Sequence, residues 1–323
     1  MSVRIYLHPQ VKYTIFQKEN TRNLLVDMGI DFVDNPEQAT VLIGTYEKLI
    51  REFVRSFGAS KRYILWTHEP NFWTSTAKWA TIDGQRVRTI SLSSGEVYFD
   101  NYFYASIPPN PNPSPRQRSA RGKLNRTLVM VAGAKMHGDA EAVRRANGVD
   151  LSRIRYELAL AGHSKGKLHV YGMMWPPGVS RGQSRKGRWS LAKYRILENY
   201  DFNVCFENSL VPNYCSEKIW QAIYCGCLPV YYGQESIYRD FLPDSFLDYA
   251  LLGEPASLFE AVNRMSCDEF NERYEKCLRV FQYASPLGDM AREQAARYAG
   301  LQIIALDMGT PASAHDGARY RLL

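Results

Sequence analysis

The residues best suited to grip an anion are concentrated in one stretch of this chain. Tyr200-Asp-Phe-Asn-Val-Cys-Phe-Glu-Asn-Ser209 is followed by Pro212-Asn-Tyr-Cys-Ser-Glu-Lys-Ile-Trp-Gln-Ala-Ile-Tyr-Cys-Gly226 and then by Leu228-Pro-Val-Tyr-Tyr-Gly233. The run reads as strand, turn, helix and strand, with Glu207, Asn208, Tyr214, Glu217 and Lys218 gathered around the turn. In an open α/β sheet such a turn lies outside the carboxyl end of a strand, where these folds present groups to a ligand. Asn213 and Ser216 are both suited to cap the helix that follows. Its apolar stripe is Ile219, Trp220, Ile223 and Tyr224, and Gly226 is placed to end it. Lys218 then falls in the first turn, where the helix dipole disfavours a cation by about 0.3–1 kcal/mol. An anion there would reverse that sign, because free N–H groups and the ammonium would converge on it; a phosphate is the natural candidate. On spacing alone, Glu217 and Lys218 are slightly better read as solvated first-turn residues.

A second candidate lies early in the chain. Arg62-Tyr-Ile-Leu-Trp-Thr-His-Glu-Pro70 sends a strand into a loop, and Pro70 biases Glu69 to an extended backbone at the strand's carboxyl end. A carboxylate so placed can act as a proton acceptor, although a solvated loop residue is the commoner outcome for such a position. His68 is the alternative base, with an ordinary pKa near 6.5.

These groups need elements to hold them. Val3–Leu7, Val41–Gly44 and Tyr63–Trp66 read as short buried strands, separated by helical patterns at 18–28 and 46–57. Such alternation predicts a parallel sheet wrapped by helices. Ile107-Pro-Pro-Asn-Pro-Asn-Pro-Ser-Pro-Arg116 admits neither helix nor sheet interior and is read as an interdomain linker or a long loop. Alternation then resumes. Strands are expected at 127–132, 168–171, 201–206 and 228–232, and helices at 153–161, 191–199, 216–225, 254–265, 268–283 and 289–305. A chain of 323 residues exceeds what one core usually covers. Two α/β domains with a cleft between them are therefore expected. The division is drawn at 1–115 for the first domain with its linker, 116–300 for the second, and 301–323 for a tail or helix returning to the first.

The motifs around 200–246 resemble the signature of the α-1,3/4-fucosyltransferases, glycosyltransferase family 10. There, Phe-Glu-Asn-[Ser/Thr] and Tyr-x-[Thr/Ser]-Glu-Lys precede a [Val/Ile]-Pro-[Val/Ile] strand, and the likeness extends to Asp240-Phe-Leu-Pro-Asp-Ser-Phe246. The resemblance implies a GT-B fold, two Rossmann-like domains facing a central cleft, and inverting transfer of L-fucose from GDP-fucose to a sugar hydroxyl. It also implies donor contacts from Asn208, Tyr214, Glu217 and Lys218. Leu151-Ser-Arg-Ile-Arg-Tyr-Glu-Leu158 and Lys167-Leu-His-Val-Tyr-Gly172 resemble the family's Arg-x-x-x-Tyr helix and the strand after it. The arginine that grips the pyrophosphate maps best onto Arg153. Glu157 stands where the family has tyrosine, however, and Tyr156 falls one place early, so Arg155 is a rival. Glu69 corresponds to the family's general base, in a shorter match.

Composition narrows the alternatives. Hydrophobic content of 45% marks a folded chain, and no run of about 18 apolar residues is present to span a membrane. The N-terminal segment lacks the apolar core of a secretory signal. Six cysteines without zinc-ligand spacing suggest buried thiols in a reducing compartment. No Asp-x-Asp triplet occurs, so no metal or other cofactor is expected and Arg and Lys must neutralise the diphosphate. The net charge of +7, concentrated at Arg116–Arg126 and Lys165–Lys193, suits a phosphorylated ligand, nucleic acid or an anionic surface. Three readings follow: a fucosyltransferase, a transferase using another nucleotide sugar, and a basic protein stacking bases on Tyr171, Trp175, Trp189 and Tyr194. Without a nucleic-acid module signature, the third ranks last. A cytoplasmic protein that rests peripherally on the inner membrane is the expected location, with a glycan acceptor as partner.

Overall fold

The computed structural model describes residues 3–11, 23, 25, 26, 29–67, 75, 77–91, 94–96, 123–134, 149–183, 189–211 and 214–284. Glu69, His68, the proline-rich stretch and the helix and tail expected beyond 284 lie outside them, as does most of the helical pattern at 18–28. The chain divides into two compact units, one containing Met1–Phe99 and the other spanning Asp100–Met290.

In the first unit, β1 (Val3–Leu7), β2 (Ile30–Phe32), β3 (Val41–Gly44), β4 (Arg62–Trp66), β5 (Trp79–Ile82) and β6 (Gln85–Ile90) form one sheet of order β2-β1-β3-β4-β6-β5. All pairs are parallel except the β5–β6 edge hairpin. Helix α1 (Glu47–Phe57) buries Leu49, Ile50, Phe53 and Val54, a stripe at helical spacing, among Leu42, Tyr63, Leu65 and Val87. The hairpin was not anticipated. Its turn is Asp83-Gly84, both at positive φ (46° and 79°), the conformation that Asp-Gly adopts readily between paired strands. Arg88 of β6 is buried there, donating to the carbonyls of Lys78 and Thr89 and to Glu96 at 2.7 Å.

The second unit is built on β7 (Leu128–Val131), β9 (Leu168–Tyr171), β10 (Phe202–Val204), β12 (Leu228–Tyr231) and β13 (Leu247–Asp248), in the order β13-β12-β10-β7-β9, all parallel. A two-residue ladder joins β8 (Val149–Asp150) antiparallel to β11 (Ser209–Leu210). The helices are α2 (Ser152–Ser164), α3 (Trp189–Leu197), α4 (Glu217–Tyr224), α5 (Pro255–Arg264) and α6 (Cys267–Ala284).

Strand alternation sorts the side chains of this sheet into two cores. Leu128, Met130, Phe202 and Val204 pack against Leu158 of α2 and Leu258 and Phe259 of α5. On the other face, Val129 and Cys205 meet Tyr194 and Leu197 of α3, Ile219, Trp220 and Ile223 of α4, and Phe281 of α6. Both faces are therefore covered, as a parallel sheet requires. The α/β class expected from sequence holds in each unit.

Two glycines permit close approaches between elements. A Cβ on Gly162 of α2 would stand 2.5 Å from the Cβ of Leu168. At Gly172, just past β9, φ is 144° and a Cβ would fall 2.1 Å from the Ala132 carbonyl oxygen. Backbone cannot yield as a flexible side chain can. Gly172→Ala is therefore expected to lower the unfolding free energy by about 2 kcal/mol or more, read from urea denaturation.

Candidate functional site

Strand β10 runs out into Cys205-Phe206-Glu207-Asn208, and the chain returns as α4 with Ser216 as its N-cap. Glu207 does not face a ligand. Its carboxylate is fully buried and accepts four hydrogen bonds. Oε1 takes the Ser216 N–H at 2.7 Å and the Tyr231 hydroxyl at 3.2 Å. Oε2 takes the Ser216 hydroxyl at 2.6 Å and Lys218 Nζ at 3.1 Å. The expectation of free N–H groups awaiting phosphate at this helix end is thus corrected at Ser216. The chain supplies its own anion, and Glu207 offsets both the helix dipole and the Lys218 charge. Ser216 makes no side-chain cap because its hydroxyl is bound to Glu207.

Lys218 also donates to Ser216 Oγ at 2.7 Å, which commits two of its three N–H directions. Burial works against its charge, but the Glu207 carboxylate, reinforced by Glu217, outweighs that and raises its pKa. Glu217 behaves in the complementary way. Burial alone would raise its pKa, yet Lys218 and Lys193 prevail and lower it.

The two arginine candidates separate cleanly. Arg153 is exposed on α2 and pairs with Glu157 one turn on at 2.8 Å, so the structure does not bring it to the site. Arg155 is buried, and its Nη1 donates to Asn208 Oδ1 at 3.1 Å. Two helical residues apart are about 200° around the axis, so only one of the pair can face the sheet. Arg155 shares a stripe with Leu158, Ala159 and Gly162, and that periodicity was the signal available in the sequence. The Asn208 amide contacts the Tyr214 hydroxyl at 3.5 Å, and the Tyr214 ring is buried 5.8 Å from Lys218 Nζ.

Arg155 and Lys218 converge on one pocket, together with Lys193 of α3, Asn203, Val131 and Ala132. Its walls are the carboxyl ends of β7 and β10. These neighbouring strands mark the point where connections leave in opposite directions, from β7 to β9 on one side and onward to β10, β12 and β13 on the other. Ligands of open α/β sheets bind at such switch points. Sequence reasoning missed Lys193 as a site residue and Glu207 as a buried anchor. Both were quoted only as parts of a basic cluster and a motif.

The remaining candidates resolve as packing. Tyr194 is buried, Tyr171 lies 3.3 Å from the Tyr200 hydroxyl, and Trp175 stacks on Tyr156, so these rings are already engaged. The side chain of Trp189 lies outside the described residues. Cys205, Cys215, Cys225, Cys227 and Cys277 are buried thiols, which fits the expected role. Among the described residues no three His, Cys, Asp or Glu side chains could jointly hold a metal ion, and no helix is long and apolar enough to cross a membrane.

Residues 152–285 match the model of glycosyltransferase family 10 (fucosyltransferase), C-terminal part. That match lies wholly within the second unit. Over 78 residues the chain is 36% identical to human GDP-fucose protein O-fucosyltransferase 3, which is 24% of this chain and 16% of that protein. Over 56 residues it is 41% identical to the alpha-(1,3)-fucosyltransferase FucT of Helicobacter pylori, 17% of this chain and 12% of that protein. The aligned segments are therefore a small part of either relative. A crystal structure of an alpha1,3-fucosyltransferase aligns over 87% of this chain and 89% of its own, with a TM-score of 0.48 and 15% identity.

The Glu207 network sets two expectations. Glu207→Gln removes the carboxylate bonded to Lys218 and should cost about 3–5 kcal/mol in urea denaturation at pH 7, part of which Glu207→Gln/Lys218→Met restores. The depressed pKa of Glu217 contributes stability that is present above its ordinary value of 4.5 and lost as pH falls through the folded value. Glu217→Gln should therefore flatten the acid limb of the stability–pH profile.

Proposed function

We propose that this chain transfers L-fucose from GDP-fucose to a hydroxyl of a glycan acceptor, with inversion and in the manner of an α-1,3-fucosyltransferase. The observation that carries the reading is the convergence of Arg155 and Lys218 on one pocket at the switch point of a family 10 domain. The chemistry of these two cations suits a diphosphate. The planar guanidinium offers a bidentate fork to phosphate oxygens, and the ammonium, held by Glu207 and Ser216, keeps an N–H for a third acceptor. Both cations are oriented before any ligand arrives, so they can meet the charge that builds on a departing β-phosphate without reorganising.

Asn208, Tyr214 and Glu217 surround these two groups, and in this reading they shape the fucose and ribose-diphosphate end of the donor site. Glu69 is the proposed general base. It takes the proton of the acceptor hydroxyl as that oxygen attacks the anomeric carbon opposite the leaving diphosphate. The bond from oxygen to the anomeric carbon forms as the bond to GDP breaks, which gives one displacement and inversion through an oxocarbenium-like state.

The tests follow the residues. Calorimetric titration with GDP should show Arg155→Ala binding about 10–100-fold more weakly, the size of a charge-assisted contact of about 1.5–3 kcal/mol. Arg153→Ala should bind as the parent does. Unchanged GDP affinity in a folded Arg155→Ala variant would overturn the assignment of this pocket. Glu69→Gln should cut fucose transfer by about 100-fold or more while GDP affinity stays within about twofold. Transfer by Glu69→Gln near the normal rate removes Glu69 as the base.

A further inference from the structure

Three cationic side chains line the switch-point pocket, and they are not alike. Arg155 is held by Asn208, and Lys218 by Glu207 and Ser216. Lys193, 7% exposed on α3, has no hydrogen-bond acceptor among the described residues. An ammonium on a nearly buried side chain, with no protein acceptor, is a costly arrangement, and folded chains rarely keep one unless something else offsets it. The charged and titratable groups around it are Arg155 from α2, Glu217 and Lys218 from α4, and the thiols Cys205 and Cys225. Burial lowers the Lys193 pKa. Glu217 opposes that shift and Lys218 adds to it.

Resting on the reading that this pocket takes a nucleoside diphosphate, we propose that Lys193 is a third phosphate contact, whose ammonium gains its acceptor only when a phosphate oxygen enters. Arg155 and Lys218 are fixed in advance by the fold, whereas Lys193 is left for the ligand. Bound phosphate would supply the missing acceptor and the missing charge together, so occupancy should favour the protonated lysine and draw a proton from solution at alkaline pH. The same arrangement makes the empty protein less stable than it need be. A methionine of similar volume would remove a buried charge, and such replacements are often neutral or stabilising.

The test uses the full chain, with GDP and guanosine as probes. Lys193→Met is expected to weaken GDP binding about 10-fold or more, to leave guanosine binding unchanged, and to leave the Tm without ligand equal or higher. Lys193→Arg, which keeps the charge, should retain most of the GDP affinity. Calorimetry at pH 9 in two buffers of unlike ionisation enthalpy should show proton uptake on GDP binding by the parent and none by Lys193→Arg, because guanidinium does not titrate there. Two results overturn the proposal: GDP affinity within about twofold of the parent in Lys193→Met, or a ligand-free Tm lowered by that substitution. If the parent itself binds GDP no better than guanosine, the diphosphate reading of the pocket fails, and this proposal with it.

Discussion

A carboxylate fixed inside the fold, Glu207, governs the rest of the site. It leaves the end of β10 and is met by the backbone and hydroxyl of Ser216, the ammonium of Lys218 and the phenol of Tyr231. Four donors satisfy a group whose burial would otherwise cost several kcal/mol. The consequence is positional. The start of α4 cannot drift from the end of β10, so Lys218 is held at the pocket instead of extending into solvent from a first turn. With this anion in place, a lysine at the electropositive end of a helix ceases to be an anomaly.

The cations that line the pocket are unlike one another. Lys218 is compensated within the protein and Arg155 is steered by Asn208, so each presents a directed N–H to the pocket at little further cost. Preorganised donors of this kind are most effective against charge that develops during a reaction, because they need not move. The pocket's place at the ends of β7 and β10 comes from topology. Between strands whose connections diverge a crevice forms at the sheet end, and here small residues such as Ala132 line it.

Much of this was legible in the sequence because periodicity reports burial. The strands at Val3, Val41 and Leu168 and the helix after Ser216 stand within a residue or two of where apolar spacing puts them. Motif spelling led to the helix that carries the pocket's arginine, whereas choosing between Arg153 and Arg155 needed the helical phase, which only Arg155 shares with Leu158 and Gly162. The β5–β6 hairpin was missed although Asp83-Gly84 announces it. Lys193 and Glu207 were harder. A lysine in a basic stretch and a glutamate after a strand both look like surface residues, and their burial depends on the β10, α3 and α4 segments meeting in space. No local pattern encodes that meeting.

The position of Arg155 depends in turn on how α2 is seated. Ahead of the helix, the Leu151 N–H donates to the Asn208 carbonyl at 2.9 Å, so Asn208 fixes both the approach to α2 and, through its side chain, the guanidinium one turn later. The neighbouring Tyr156 stacks on Trp175 with rings 5.4 Å apart and 5° from parallel, and Trp175 donates to the Ala132 carbonyl at 2.8 Å. Ala132 lines the pocket, so this chain of contacts runs from the pocket wall to the helix that carries Arg155 and back through Asn208 to the end of β10. Gly162 closes the far end by letting α2 lie directly on Leu168. A guanidinium offered to a pocket needs a fixed direction more than it needs exposure. Here that direction comes from a closed circuit of backbone and ring contacts that seats α2 against the pocket wall.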